Sequence, residues 1–153
     1  MNEIRFHLKT DPHGYLSNFY ELPEPMLIDG KEWVTSEHYF QAAKFAETAP
    51  DLADTIRETK SPAKVWRIAA KNKDRRREDW ADVKNGIMRQ VVWEKFSQNN
   101  ALGEMLLATG DATLIEHTPT DSYWGDGGDG TGKNMLGTIL MEVRSRLRTD
   151  KLK

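Results

Sequence analysis

Five consecutive segments between Ser36 and Thr109 carry helix signals, and this succession limits the fold more than any other feature of the chain. SEHYFQAAKFAET, residues 36–48, reads as one helix, and Pro50 opens a second that runs to about Thr59. Ser61 and Pro62 occupy the N-cap and first-turn positions those residues favour, so a third helix extends to about Lys71. A charged connection, KNKDRRRED, leads to a long helix from about Trp80 to Gln98, and Asn100 to Thr109 form another that Gly110 can close. Near the end, Leu136, Ile139, Leu140, Val143 and Leu147 repeat the helical spacing once more.

Strand signals are few. Ile4, Phe6 and Leu8 alternate with charged neighbours, and MLIDGKEWV places Asp29-Gly30 between two short apolar runs, as a hairpin requires. The first third is thus expected to supply a small sheet, with ATLIEH, residues 112–117, as a last strand. No repeat or interdomain linker is visible, and 153 residues suffice for one core without disulfides or metal. The expectation is a mainly helical α+β fold with a small β-sheet, one domain over residues 1–153.

A net charge of -2 gives no global attraction to nucleic acid or an anionic membrane, so any such contact must be local. The absence of cysteine excludes thiolate chemistry and cysteine metal sites and favours a cytoplasmic location. The start, MNEIRFHLK, lacks an apolar signal region, and no stretch has the roughly eighteen apolar residues of a membrane span. His7, His13, His38 and His117 lack metal-ligand spacing, so neither metal nor cofactor is expected.

DSYWGDGGDGTGKNMLG, from Asp121 to Gly137, feeds the last helix and holds six glycines in seventeen residues. Close backbone approach to a ligand is one reason for such a density, and free amides at the helix start would favour an anion. Gly127, Gly132 and Lys133 nearly complete a phosphate-binding GxxxxGK motif, but Asn134 stands where a Mg-binding Ser or Thr belongs. Asp126 and Asp129 would repel phosphate, and Tyr123 and Trp124 precede the loop in place of a buried strand. Trp124 could stack on a planar ring or simply cover the core; Asp126 could hold ribose hydroxyls or a water, or cap its own turn.

Glu37, Gln41 and Lys44 fall at i, i+4 and i+7, on one helical face. Spacing alone makes this a solvated stripe, with Glu37 at the positive helix end, more often than a reactive pair. In the functional reading Glu37 is a general acid or base and Lys44 a nucleophile or charge clamp, which requires a partly buried cleft. GYLSNF, residues 14–19, reads as a turn with Ser17 and Asn18 on local backbone. The basic run Lys71, Lys73, Arg75, Arg76 and Arg77 could bind a phosphate or nucleic acid, but Asp74, Glu78 and Asp79 dilute it, and it reads more readily as a solvated connection.

Taken together, GYLSNF, WVTSEHYFQAAKF, EDWADVKNGIMRQVVWEKF and DSYWGDGGDGTGKNMLGTILMEVR resemble the YbiA-like, NADAR superfamily over nearly the whole chain. The resemblance implies an N-glycosidase that cleaves between ribose C1 and a nitrogen. Members act on early phosphorylated intermediates of riboflavin biosynthesis or on ADP-ribose attached to guanine in nucleic acid. It further implies Glu37 as the catalytic carboxylate, with Lys44 as a second reactive group and Asp126 also at the site. Gln41, Trp80, Tyr123, Trp124, Gly125 and Gly127 would surround the substrate, and Asn18, Phe19 and Asn134 would contact the ribose or its phosphate.

The net charge and the diluted basic run tilt the expected substrate toward the small metabolite, with nucleic acid a partner only as substrate and no membrane partner. A module that binds ADP-ribose without cleaving it is the non-enzymatic alternative. The preferred chemistry has Lys44 attack C1 and open the sugar to a Schiff base, which demands a lysine made neutral by desolvation; direct attack by water is the other route.

Overall fold

The computed structural model describes residues 2–152 and shows a mainly helical α+β fold, with six α-helices and four short strands among the described residues. The strands make two separate two-stranded sheets, not the single small sheet expected. Packing divides the chain into two compact units: residues up to Tyr20 together with Lys95 onward, and Glu21–Glu94.

The Glu21–Glu94 unit begins with the expected hairpin, β2 (Met26–Ile28) antiparallel to β3 (Lys31–Trp33). Asp29 and Gly30 both take positive φ, 52° and 78°, the pairing that matches the twist of a two-residue hairpin. Helix α1 (Ser36–Ala43) is capped by the Thr35 hydroxyl, which accepts the His38 N–H at 3.0 Å. It stops five residues short of the expected Thr48, because the Lys44 and Phe45 amides bond one residue closer, to Gln41 and Ala42. Pro50 then excludes helical backbone from Ala49, which sits at φ -151°. Helices α2 (Pro50–Glu58) and α3 (Pro62–Lys71) follow as expected, with Ser61 capping the latter at the Lys64 N–H. His38 locks this arrangement from a fully buried position. Its Nε2 lies 2.5 Å from the Thr59 carbonyl and must donate, so Nδ1 accepts from the Thr35 hydroxyl at 2.7 Å. Burial accordingly pushes the His38 pKa down, against the opposing pull of the Thr59 carbonyl and Glu21. Helix α4 (Trp80–Gln98) belongs to this unit through Glu94.

In the other unit β1 (Glu3–Phe6) runs parallel to β4 (Thr113–Glu116), in register from Glu3 opposite Thr113 to Phe6 opposite Glu116. Leu8, expected to continue the strand, lies beyond it and is exposed. After α5 (Asn100–Ala108) and β4, α6 (Met135–Lys151) buries Leu136, Ile139, Leu140 and Val143, while Leu147 is half-buried. Helix and strand come so close that a Cβ on Gly137 would sit 2.0 Å from the Leu114 carbonyl oxygen, so only glycine fits there. No helix among the described residues is long and apolar enough to cross a membrane.

Candidate active site

The face of α1 that spacing alone would leave solvated is buried at Glu37 and Gln41 and half-buried at Lys44. Glu37 is 6% and Gln41 5% exposed, so the carboxylate has lost most of its water. The Gln41 amide donates to Glu37 Oε2 at 3.1 Å, which turns its own Oε1 elsewhere. That oxygen is buried without a hydrogen-bond partner among the described residues. A native protein leaves few such acceptors, and a sugar hydroxyl would satisfy this one.

Lys44, at the C-cap of α1, remains on the same face. Its ammonium lies 5.5 Å from the centre of the Trp80 ring and 5.7 Å from that of Phe40. Those rings meet edge to face at 5.0 Å, and both are buried, so they form an apolar floor under the charge. Burial pushes the Lys44 pKa down to about 8; Glu37 opposes this, while Arg76, Lys73 and Lys84 add to it. A fraction of the amine is therefore neutral near pH 7, as a nucleophilic lysine requires. Glu37, Gln41, Lys44 and Trp80 thus come together within the Glu21–Glu94 unit. Lys73 and Arg76 belong to the basic run that the sequence reads as a solvated connection, and Lys84 on the long helix was missed; nothing in the sequence showed that their field reaches Lys44.

The remaining candidates lie in the other unit, where the structure gives several of them architectural tasks. The glycine-rich loop needs its glycines for its own packing: a Cβ on Gly125 would lie 2.6 Å from Thr118 and one on Gly132 2.6 Å from the Gly125 carbonyl. Nor are the amides at the start of α6 free for an anion. The Asn134, Met135 and Leu136 N–H groups donate to the Gly125, Tyr123 and Trp124 carbonyls at 2.9, 3.0 and 3.0 Å. Asn134, expected to touch ribose or phosphate, directs its amide at β4, donating to the Leu114 carbonyl and accepting the Glu116 N–H, each at 2.9 Å.

Asp126, expected to be catalytic, is 5% exposed and organises the loop. One oxygen accepts the Thr118 and Gly128 N–H groups at 3.1 and 2.8 Å, and the other lies 2.8 Å from His117 Nδ1. Burial pushes its pKa up, but these bonds and the His117 charge outweigh that and hold it below the usual carboxylate range. An ionised carboxylate with both oxygens engaged holds a turn better than it moves a proton. Gly127, with φ 74°, donates its N–H to the Asp121 carbonyl at 3.1 Å. Tyr123 and Trp124 are half-buried, edge to face at 4.9 Å, with their N–H groups held by the Asp121 carboxylate.

In the GYLSNF segment Asn18 and Phe19 are half-buried, and the Ser17 hydroxyl accepts the Phe19 N–H at 3.1 Å, the local turn that the sequence allows. The Ser17 carbonyl accepts from Lys95 Nζ at 3.0 Å. Lys95 is 1% exposed, lies over the Tyr20 and Phe96 rings, and has no carboxylate partner among the described residues; burial pushes its pKa down to about 7. The signal for it was present, because Lys95 shares the seven-residue apolar stripe of Met88, Val91 and Val92. Between about pH 7 and the ordinary lysine range near 10.4, the unfolded chain holds a proton on Lys95 that the folded chain does not. Stability therefore rises with pH across that window, and Lys95→Met should remove this rise from the difference between urea melts at pH 7 and pH 10.

No group of three metal-binding side chains occurs among the described residues. Residues 5–148 match the family model for the NADAR domain. The chain is 44% identical to N-glycosidase YbiA of Escherichia coli (strain K12) over 148 residues, covering 97% of this chain and 90% of that protein. It is 38% identical to an N-glycosidase of Nostoc punctiforme, covering 95% of this chain and 92% of that one. A riboflavin biosynthesis protein of Vibrio vulnificus is 43% identical over 95% of this chain, which spans 38% of its length. The NMR structure of Escherichia coli YbiA superposes with a TM-score of 0.89 at 43% identity, over 99% of this chain and 88% of that one. On a match that takes in nearly all of its residues, the chain belongs to the NADAR domain family.

Proposed function

We propose that this protein is an N-glycosidase that hydrolyses the bond between ribose C1 and a nitrogen in phosphorylated, early riboflavin-pathway intermediates of the ribosylamino-pyrimidine type. The enzyme class is supported by the relatives named N-glycosidase, and the substrate by the relative named for riboflavin biosynthesis. The observation that carries the chemistry is Lys44: a lysine with pKa lowered to about 8, over an apolar floor and within the field of Glu37.

Cleavage of an N-glycoside builds positive charge at C1 and the ring oxygen while the base leaves with the bonding electrons. In the proposed route the neutral Lys44 amine attacks C1 and the C1–N bond breaks, while the Glu37 carboxylate takes a proton from the attacking nitrogen and passes it to the departing base. The ring C1–O bond then opens, the ring oxygen takes a proton from water and C1 becomes a protonated Schiff base on Lys44. Water adds to C1, and Glu37 relays its proton as the amine leaves. Gln41 orients Glu37 and offers its unpartnered Oε1 to a sugar hydroxyl. Asn18, Phe19, Tyr123 and Trp124 are proposed to contact substrate, while Asp126, Gly125, Gly127 and Asn134 keep the loop in shape.

A module that only binds a nucleotide has no use for a neutralised lysine, which favours the enzyme. The two are told apart by incubating purified protein with a phosphorylated ribosylamino-pyrimidine and following the free base by chromatography. Release above the uncatalysed rate is expected; saturable binding without release would leave the binding module as the better account.

A further inference from the structure

A phosphorylated substrate needs N–H or cationic partners for its phosphate, and the backbone of the glycine-rich loop has none to spare where the sequence pointed to them. The amides leading into α6 are bonded to loop carbonyls, and those of Gly127 and Gly128 to Asp121 and Asp126. A side chain at the root of this loop has kept a position open. His117 directly follows β4, and its N–H donates to the Phe6 carbonyl at 2.8 Å, which carries the backbone bonding of β4 with β1 one residue further. Its ring Nδ1 lies 2.8 Å from Asp126 Oδ2. An ionised carboxylate only accepts, so Nδ1 donates, and the tautomer and orientation of the ring are set from that side. The anchor is firm, because the other Asp126 oxygen is held by the Thr118 and Gly128 N–H groups at 3.1 and 2.8 Å. Nε2, on the far edge of the ring, has no partner among the described residues, and the side chain is 43% exposed. His38 is the contrast: both of its nitrogens are taken and its ring is fully buried, as suits a histidine that only holds the fold.

From this geometry we infer that His117 binds the phosphate of a ribose phosphate, donating from Nε2 to a phosphate oxygen while Asp126 holds the ring at Nδ1. In that complex the ring carries a proton on each nitrogen, one directed at the buried carboxylate and one at the ligand. The loop adds a second cation, since Lys133 Nζ lies 5.5 Å from the centre of the Tyr123 ring, beside the Tyr123–Trp124 pair proposed to contact substrate. Its other carboxylates are engaged locally: Asp121 accepts the Tyr123 and Trp124 N–H groups, and Asp129 the N–H and hydroxyl of Thr131. Asp126 thereby gains a task beyond the turn, as the positioning residue for His117. The phosphorylated substrate rests on the proposed glycosidase reading, whereas the phosphate site itself is measured without turnover. A general base at Nε2 would use the same anchored ring, but it would act on kcat, and phosphate binding acts on KM.

The test is isothermal titration calorimetry of the whole protein with ribose 5-phosphate and with ribose. Ribose 5-phosphate should bind at least about tenfold more tightly, the scale of one charge-assisted hydrogen bond. His117→Asn keeps an amide nitrogen where Nδ1 stands, so the bond to Asp126 and the loop survive, but it ends short of Nε2. The variant should bring the two ligands to within about threefold of each other, an outcome that a purely structural role of His117 would not produce. During turnover of a phosphorylated ribosylamino-pyrimidine its loss should fall on KM, by at least about tenfold, and its preference over the dephosphorylated form should shrink in proportion. No preference of the wild type for ribose 5-phosphate, an equal preference in His117→Asn, or a loss confined to kcat would each overturn the inference, the last in favour of a general base. If no base is released but the ribose 5-phosphate preference is present in the wild type and lost in the variant, the phosphate site stands and the glycosidase reading fails.

Discussion

Lys44→Met should lower kcat at least about a thousandfold while the protein stays folded. Methionine matches the lysine stem in length and places an apolar end above Phe40 and Trp80, where the ammonium now sits 5.7 and 5.5 Å from the ring centres. The substitution also removes a desolvated charge, so thermal stability should be unchanged or higher, and lost activity cannot be ascribed to unfolding. Lys44→Arg should be nearly as inactive, because a guanidinium is never neutral near pH 7. A charge clamp, in contrast, would tolerate arginine. The wild-type pH profile carries the same claim. Burial lowers the Lys44 pKa, so the neutral, reactive form grows as pH rises; kcat/KM should climb toward a plateau with an inflection near pH 8.

Glu37→Gln should reduce kcat at least about a hundredfold, the scale for loss of a general acid or base. The amide keeps the shape of the side chain and can still accept the Gln41 hydrogen bond now 3.1 Å long, so the geometry of α1 should survive. The variant has a second, opposite signature. The Glu37 carboxylate raises the Lys44 pKa against the effect of burial, so its removal moves the inflection in the rate profile below about 8. A slower enzyme whose nucleophile is neutral at lower pH separates loss of proton transfer from loss of the amine. Near-normal turnover would remove Glu37 from the chemistry.

The helices were legible in the sequence because several of their ends are marked by local chemistry: Ser61 and the prolines at 50 and 62 sit where capping needs them. The pairing of β1 with β4 was not, since a parallel register between residues more than a hundred positions apart has no local signature. At the site, the residue types and spacing of Glu37, Gln41 and Lys44 were plain, and their burial was not. Period and composition cannot tell a polar stripe in water from one under an aromatic floor supplied by Trp80, thirty-six positions beyond Lys44. The glycine loop misled for the same reason. Its glycines and the amides leading into α6 look free when only neighbours in sequence are considered, yet they are taken up by Thr118, Tyr123, Trp124 and the loop's own carbonyls.

Covalent capture at Lys44 bears most directly on the mechanism. Purified protein turning over a phosphorylated ribosylamino-pyrimidine would be treated with sodium borohydride, digested and analysed by peptide mass spectrometry. A reduced ribosyl phosphate should be fixed on the peptide that contains Lys44, absent without substrate and absent in Lys44→Met. Full release of base by active enzyme with no adduct on that peptide would contradict the covalent route and leave direct attack by water.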